Sequence, residues 1–303
     1  MNRRQFIGGL SCGAVAALGT GCESAACGGA AARTAGIRIG IAGYTYGRFK
    51  TDEMIAELVK NDMHGLCVKS HHLPYEAKPA EVKEFLRKLS DNGITPYGAG
   101  PIAMNDEETA KRMFDYVAAI GVPTMVGVPG EKKTVDGKER IVSSHRMCEL
   151  CAKLAGEYRI DFAIHNHGEN PKTGNPYLYP SVEKSWDYVK DLGPRMGFCV
   201  DIAYTFADGY DPAEILRKYG DRVFDCHLRN ISDPKNGSSG APAHAGKIDY
   251  LPVFRALKAI GYSRWCGLEL ANAFLEPGEM NPGANPYWIP QSLGYFRALA
   301  ELA

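Results

Sequence analysis

From residue 37 onward the sequence alternates eight times between a short apolar run of β character and a longer amphipathic run of helical character. The strand-like runs cover 37–44, 65–69, 94–100, 122–128, 160–165, 196–201, 223–228 and 265–270. The helical runs cover 52–60, 80–90, 106–120, 144–158, 182–192, 212–219, 251–260 and 291–302, with 131–140 reading as a charged loop. Each pair takes roughly 34 residues, and eight such pairs approach the ~250 residues of a (β/α)8 barrel. Runs such as Phe162-Ala163-Ile164 are apolar without alternation, as strands buried on both faces require. Right-handed crossovers then put the helices on the outside. A doubly wound sheet is the rival arrangement. Against it, neither G-x-G-x-x-G nor G-x-x-x-x-G-K-[ST] occurs, and no G-x-S-x-G elbow presents a hydrolase serine. The expected fold is α/β, a single (β/α)8 TIM barrel over 33–303.

Residues 1–32 stand outside that rhythm. Arg3 and Arg4 precede a weakly apolar stretch from Ile7 to Leu18, the layout of a twin-arginine export signal. The stretch is too short and too weakly apolar to span a bilayer. Leu18-Gly19-Thr20-Gly21-Cys22 reads as a loose lipoprotein box with a lipid anchor on Cys22, whereas Ala30-Ala31-Ala32 offers an ordinary cleavage site. The expected location is periplasmic, either free or as a membrane-anchored lipoprotein.

Charge narrows the partners. The chain carries 35 basic and 35 acidic residues, and removing 1–32 leaves 33 against 34. With no basic surplus and no run of five like charges, nucleic acid is not an expected partner. Six of the nine cysteines lie beyond residue 32. Cys67, Cys199, Cys226 and Cys266 sit in apolar runs and read as buried small hydrophobes. Cys148 and Cys151 form a C-x-x-C in a helical pattern, without the second pair that a zinc ribbon needs.

The segments after the fifth, seventh and eighth strand-like runs are long, at 166–180, 229–247 and 271–290. They leave from C-terminal strand ends, where barrel active sites are built. Four consecutive runs also deliver a His or carboxylate at or one residue before their ends: His165, Asp201, His227 and Glu269. Counting back two along each strand reaches Ala163, Cys199, Asp225 and Gly267, the next layer into the barrel. Three of these are small, as a tapered interior favours, and Asp225 calls for a cationic partner. Neighbouring strands lie ~4.8 Å apart, so the four strand-end side chains can meet at one point. Two imidazoles and two carboxylates suit one divalent ion: Mn²⁺, Zn²⁺, Co²⁺, Fe²⁺ or Mg²⁺.

The strings Val200-Asp201, His227-Leu228-Arg229-Asn230, Gly267-Leu268-Glu269 and His165-Asn166-His167 resemble the xylose isomerase-like barrel superfamily. This is the group of sugar phosphate isomerases/epimerases, here in its exported His-Asn-His subset. Val68-Lys69-Ser70-His71-His72-Leu73-Pro74 and Ala245-Gly246-Lys247-Ile248-Asp249-Tyr250 add to the resemblance, which spans 37–302. The superfamily's usual ligands are Glu, Asp, His and Glu. The resemblance assigns the last three to Asp201, His227 and Glu269 and departs at the first, His165. Its epimerases use two metal-bound glutamates on opposite faces of the substrate, and His165 replaces one of them.

The resulting expectation is a metal-dependent isomerase or epimerase that acts on a sugar or keto-sugar through an enediolate. Glu269 is the favoured base, with His167 or Lys69 moving a second proton. Arg229, His71 and His244 are candidates for hydrogen bonds to hydroxyls, and Trp288 for stacking on the sugar. The alternative is a metal-dependent lyase or hydratase that cleaves 3-keto-glycosides by β-elimination, which needs different groups as acid and base. A second alternative is a non-catalytic, exported sugar-binding lipoprotein. The expected partner is a small carbohydrate, and the resemblance makes a homo-oligomer plausible.

Overall fold

The computed structural model describes residues 36–168, 178–270 and 287–303. The twin-arginine segment, Cys22 and the alternative cleavage region lie outside the described residues. So do parts of the long segments after the fifth and eighth strand-like runs.

The chain forms β1 (Arg38–Ala42), β2 (Gly65–Val68), β3 (Thr95–Met104), β4 (Thr124–Val135), β5 (Lys138–Ser143), β6 (Asp161–His165), β7 (Met196–Asp201), β8 (Val223–Leu228) and β9 (Trp265–Leu268). All but β5 pair in parallel in the order β1-β2-β3-β4-β6-β7-β8-β9, and β9 returns to β1 to close an eight-stranded barrel. The helices are α1 (Thr51–Lys60), α2 (Pro79–Asp91), α3 (Glu107–Ile120), α4 (His145–Tyr158), α5 (Val182–Ser185), α6 (Ile202–Ala207), α7 (Pro212–Tyr219), α8 (Tyr250–Ala259) and α9 (Trp288–Leu302).

Local chemistry sets many of their starts. The side chains of Asp106, Ser144, Ser181, Asp201, Asp211 and Asp249 accept backbone N–H groups at the N-termini of α3 to α8. Helix α3 buries Ala110, Met113, Phe114, Val117 and Ile120, one face at helical spacing, and ends at Gly121 with φ +78°.

The barrel interior is plugged from below by aromatic rings. Tyr97 stacks on Trp265 with centroids 5.5 Å apart, in a cluster with Cys67, Val126, Ala163, Cys199 and Phe224. Glycines on facing strands make the room. A Cβ at Gly65 would meet the Trp265 ring at 2.4 Å, and one at Gly267 would meet the Tyr97 hydroxyl at 2.6 Å. Below the rim, Asp225 is the carboxylate buried opposite Cys199, next to this apolar cluster.

Three expectations need correction. Residues 131–140 are not a loop: β4 runs past the barrel rim and pairs antiparallel with β5, Lys132 opposite Ile141 and Lys133 opposite Arg140. Asp136 and Gly137 turn the hairpin with φ of +52° and +70°, the two positive angles of a type I′ turn, so this Asp-Gly pair outranked the charge pattern. The helix expected over 182–192 is a single turn, α5, followed by a 3-10 turn at Trp186–Tyr188. Asp225 has no ion pair among the described residues, because the nearby cation Arg264 is engaged 2.7 Å from Asp161. Its Oδ1 accepts the Cys226 N–H at 2.8 Å, and burial pushes its pKa up to about 7.

Candidate metal centre

Strand ends bring the four donors together, with a two-residue step in register at β6/β7 and again at β8/β9, where His227 faces Gly267. His165 closes β6 opposite Cys199, Asp201 closes β7 opposite His227, and Glu269 follows β9 with its N–H on the Leu228 carbonyl at 3.0 Å. One ligand atom from each of His165, Asp201, His227 and Glu269 lies within 4.8 Å of the others. His165 Nε2 is 3.2 Å from His227 Nδ1 and 3.8 Å from Asp201 Oδ2, and His227 Nδ1 is 3.2 Å from Glu269 Oε2. Metal bonds of ~2.1 Å place ligand atoms roughly 3 to 4 Å apart, so the donor set fits a first-row divalent ion in both chemistry and spacing.

Asp201 does two jobs with two oxygens. Its Oδ1 accepts the Tyr204 N–H at 3.0 Å and caps α6, and its Oδ2 accepts from Arg229 Nε at 2.9 Å. Asn166, fully buried, holds the same strand end by accepting the Asp201 N–H at 2.8 Å. Arg229 also reaches within 3.7 Å of Glu269, and its guanidinium lies 4.1 Å from the centre of the Tyr204 ring. One guanidinium therefore balances two carboxylates that would otherwise repel.

The protonation states follow from burial against charge. Burial would raise Asp201 and Glu269, but Arg229 and His165 beside Asp201 hold it well below the carboxylate range. His227, with Arg229, brings Glu269 down to about 2. Burial would lower His227, but Glu269, Asp225 and Asp201 override it and hold the imidazole at about 9. His165 stays below its ordinary value because burial outweighs Asp201. The four side chains thus form an ionic network with Arg229, and a cation held by them would take the place of a proton on His227.

Above the centre lies a cavity of about 420 Å³, lined by His165, Glu269, Lys69, His167, Arg229 and Tyr204 together with Tyr44, Pro101, Val128 and Ser238. Lys69 Nζ donates to the Pro101 carbonyl, and burial lowers its pKa. His167 is brought down to about 4 by burial and by His165, and its Nε2 lies 3.3 Å from the Tyr204 hydroxyl. That hydroxyl also meets Ser238 Oγ at 3.0 Å, tying the segment after β8 to α6.

Seven of the sequence candidates therefore converge: His165, Asp201, His227 and Glu269 as the donor cluster, and Lys69, His167 and Arg229 around the cavity. Three belong neither to the cluster nor to the cavity lining. His71 is exposed, its ring 6.2 Å from that of Tyr44, while its neighbour His72 is buried with Nε2 2.8 Å from the Tyr46 carbonyl. His244 is exposed in a 3-10 turn, and Trp288 packs on the apolar core at the start of α9. Sequence reading missed Tyr44, Tyr204 and Ser238. For Tyr204 a signal existed: an Asp that ends a strand is also a helix N-cap, so Asp201 announces α6.

Residues 56–299 match the family described as xylose isomerase-like TIM barrel, and the chain belongs to it. No curated protein matches the sequence. Among solved structures the chain is similar to D-psicose 3-epimerase of Clostridium cellulolyticum, with TM-score 0.65 and 17% identity over 87% of this chain and 99% of that one. A sugar phosphate isomerase/epimerase from Parabacteroides distasonis aligns with TM-score 0.60 and 18% identity over 88% of this chain and 98% of that one. The "probable 3-DHS dehydratase AsbF" of Bacillus anthracis aligns with TM-score 0.62 and 11% identity over 86% and 99% of the two chains. At these identities the likeness is one of fold.

Proposed function

We propose that the chain is a divalent-metal-dependent isomerase or epimerase acting on a sugar or keto-sugar. The observation that carries this reading is the His165/Asp201/His227/Glu269 cluster at the floor of a cavity that also presents Lys69 and His167. The cavity, at about 420 Å³, falls within the ~300–1,000 Å³ of small-molecule sites. An ion held by the four donors would supply Lewis-acid polarisation of a carbonyl. The chain's own residues do the rest. Glu269 is ionised at neutral pH and takes a proton from the carbon beside that carbonyl. His167, neutral at pH 7, and Lys69 are placed to pass a second proton between substrate oxygens. Arg229 holds Asp201 and Glu269 in position while Tyr44 and Val128 give the cavity its apolar faces. The twin-arginine segment supports a periplasmic setting and an unphosphorylated substrate.

A second reading, β-elimination from a 3-keto-glycoside, is favoured by one feature. An imidazole, His165, stands where a second carboxylate would serve a symmetric proton exchange, so acid and base differ in kind. The fold likeness to an epimerase and to a dehydratase accommodates either.

The test is NMR in D₂O with free sugars and 3-keto-glycosides, using the metal-loaded protein beside Glu269→Gln and His165→Ala. Deuterium entering a sugar carbon with a rearranged sugar, only when Glu269 is present, supports the isomerase. Release of an aglycone selects the lyase. A folded protein that binds no divalent ion overturns both.

A further inference from the structure

Beneath the four-residue cluster the barrel holds a second donor set that shares its imidazoles. Cys199 stands opposite His165 in the β6–β7 register and two residues before Asp201, so its side chain points to the same side as that of Asp201 and one layer below it. Its Sγ and one nitrogen each from His165 and His227 lie within 4.8 Å of one another, and all three residues are buried. Asp201 and Glu269 belong to the upper set and not to this one.

Strand β8 adds an independent observation in the same place. His227 Nε2 is buried with no hydrogen-bond partner among the described residues, and the same holds for Oδ2 of Asp225. Asp225 lies directly opposite Cys199 across β7 and β8. Buried polar atoms are nearly always paired, so two unmatched ones beside a thiol mark a layer with unused coordinating capacity.

We propose that His165, Cys199 and His227 form a second, deeper metal position that takes soft or borderline cations such as Cd²⁺, Zn²⁺ or Cu⁺. Thiolate and imidazole ligands select such ions, whereas the carboxylates above suit harder ones such as Mn²⁺ and Mg²⁺. As the metal bonds form, the thiol proton and the proton on His227 leave to solvent, with no change of oxidation state. Two dications sharing both imidazoles would repel at close range, so the positions fill alternately. A soft cation held below therefore displaces a hard cation above. This inference does not depend on which reaction the cavity performs.

The test uses metals alone. Titrating the metal-free protein with Cd²⁺ is expected to produce a thiolate-to-cadmium charge-transfer absorption in the ultraviolet that saturates at one equivalent. The band is expected to persist in Glu269→Gln, which loses only an upper ligand, and to vanish in Cys199→Ser and His165→Ala. Cd²⁺ affinity in Cys199→Ser should fall by more than about tenfold, since even outer-shell partners of a ligand are worth ~10–100-fold. In wild type, one equivalent of Cd²⁺ should release bound Mn²⁺, read from the return of the free-ion paramagnetic resonance signal. Cadmium binding without a thiolate band, or a band that survives in Cys199→Ser, overturns the proposal. The second result would point to Cys67, Cys226 or Cys266, which are also free and buried. The wild-type titration and the Mn²⁺ release decide the matter even where a variant fails to fold.

Discussion

Replacing Asp201 by Asn isolates one charge at the heart of the site. The amide keeps an oxygen to accept the Tyr204 N–H, so the cap of α6 survives. What disappears is the negative partner 2.9 Å from Arg229 Nε, leaving that guanidinium with Glu269 at 3.7 Å. Removing one member of a buried ion pair costs ~3–5 kcal/mol, and with Glu269 compensating in part we expect about 2–4 kcal/mol. An unfolding entropy of ~2.1 cal/mol/K per residue over roughly 270 residues gives about 0.6 kcal/mol per degree, hence a Tm lower by ~4–7 °C. The assay is calorimetry with a chelator present. The folded carboxyl lies below its unfolded value, so its contribution is full above the usual carboxylate range and fades as pH falls through the folded value. The gap between wild type and Asp201→Asn should therefore be largest near neutrality and close in strong acid. A variant within about 1 °C of wild type at pH 7, or a gap that persists in acid, refutes the claim that this pair stabilises the metal-free barrel.

Two further outcomes follow from the same geometry. His227 is held at about 9 by its carboxylate neighbours, so binding an ion must expel its proton, and metal affinity should rise roughly tenfold per pH unit through neutrality and flatten above pH about 9. Calorimetric titration in buffers of different ionisation enthalpy measures this, and a flat profile contradicts it. Asn230 donates to the Ala243 and Ile248 carbonyls at 2.7 and 3.0 Å and accepts the Ile231 and Ile248 N–H groups at 2.9 Å. Asn230→Ala should then cost ~2–4 kcal/mol from several buried hydrogen bonds and speed amide exchange over 231–248, and unchanged protection there would count against that role.

Much of the site was legible because strand periodicity and strand ends coincide. His165, Asp201, His227 and Glu269 each lie within one residue of a strand end, and a closed parallel barrel has only one place to put such residues. Lys69, His167 and Arg229 follow for the same reason, one or two residues past a strand end. His71, His244 and Trp288 lie further into the connections, where no repeat predicts side-chain direction, and none lines the cavity. Between adjacent His71 and His72, the sequence offers no means of saying which is buried.

The sequence by itself determined the barrel, its eight strands and the convergence of four donors, because these depend on periods of 2 and 3.6 residues read locally and on closure. Tertiary structure alone decided the electrostatics. Arg229 bridges Asp201 and Glu269, and Tyr204 reaches His167 and Ser238, only because α6 and the segment after β8 fold back over the rim. Among the described residues Asp225 has no ion pair, and the nearby Arg264 is drawn to Asp161. Such pairings join residues far apart in the chain, and each partner is chosen by distance in space, which no local pattern encodes.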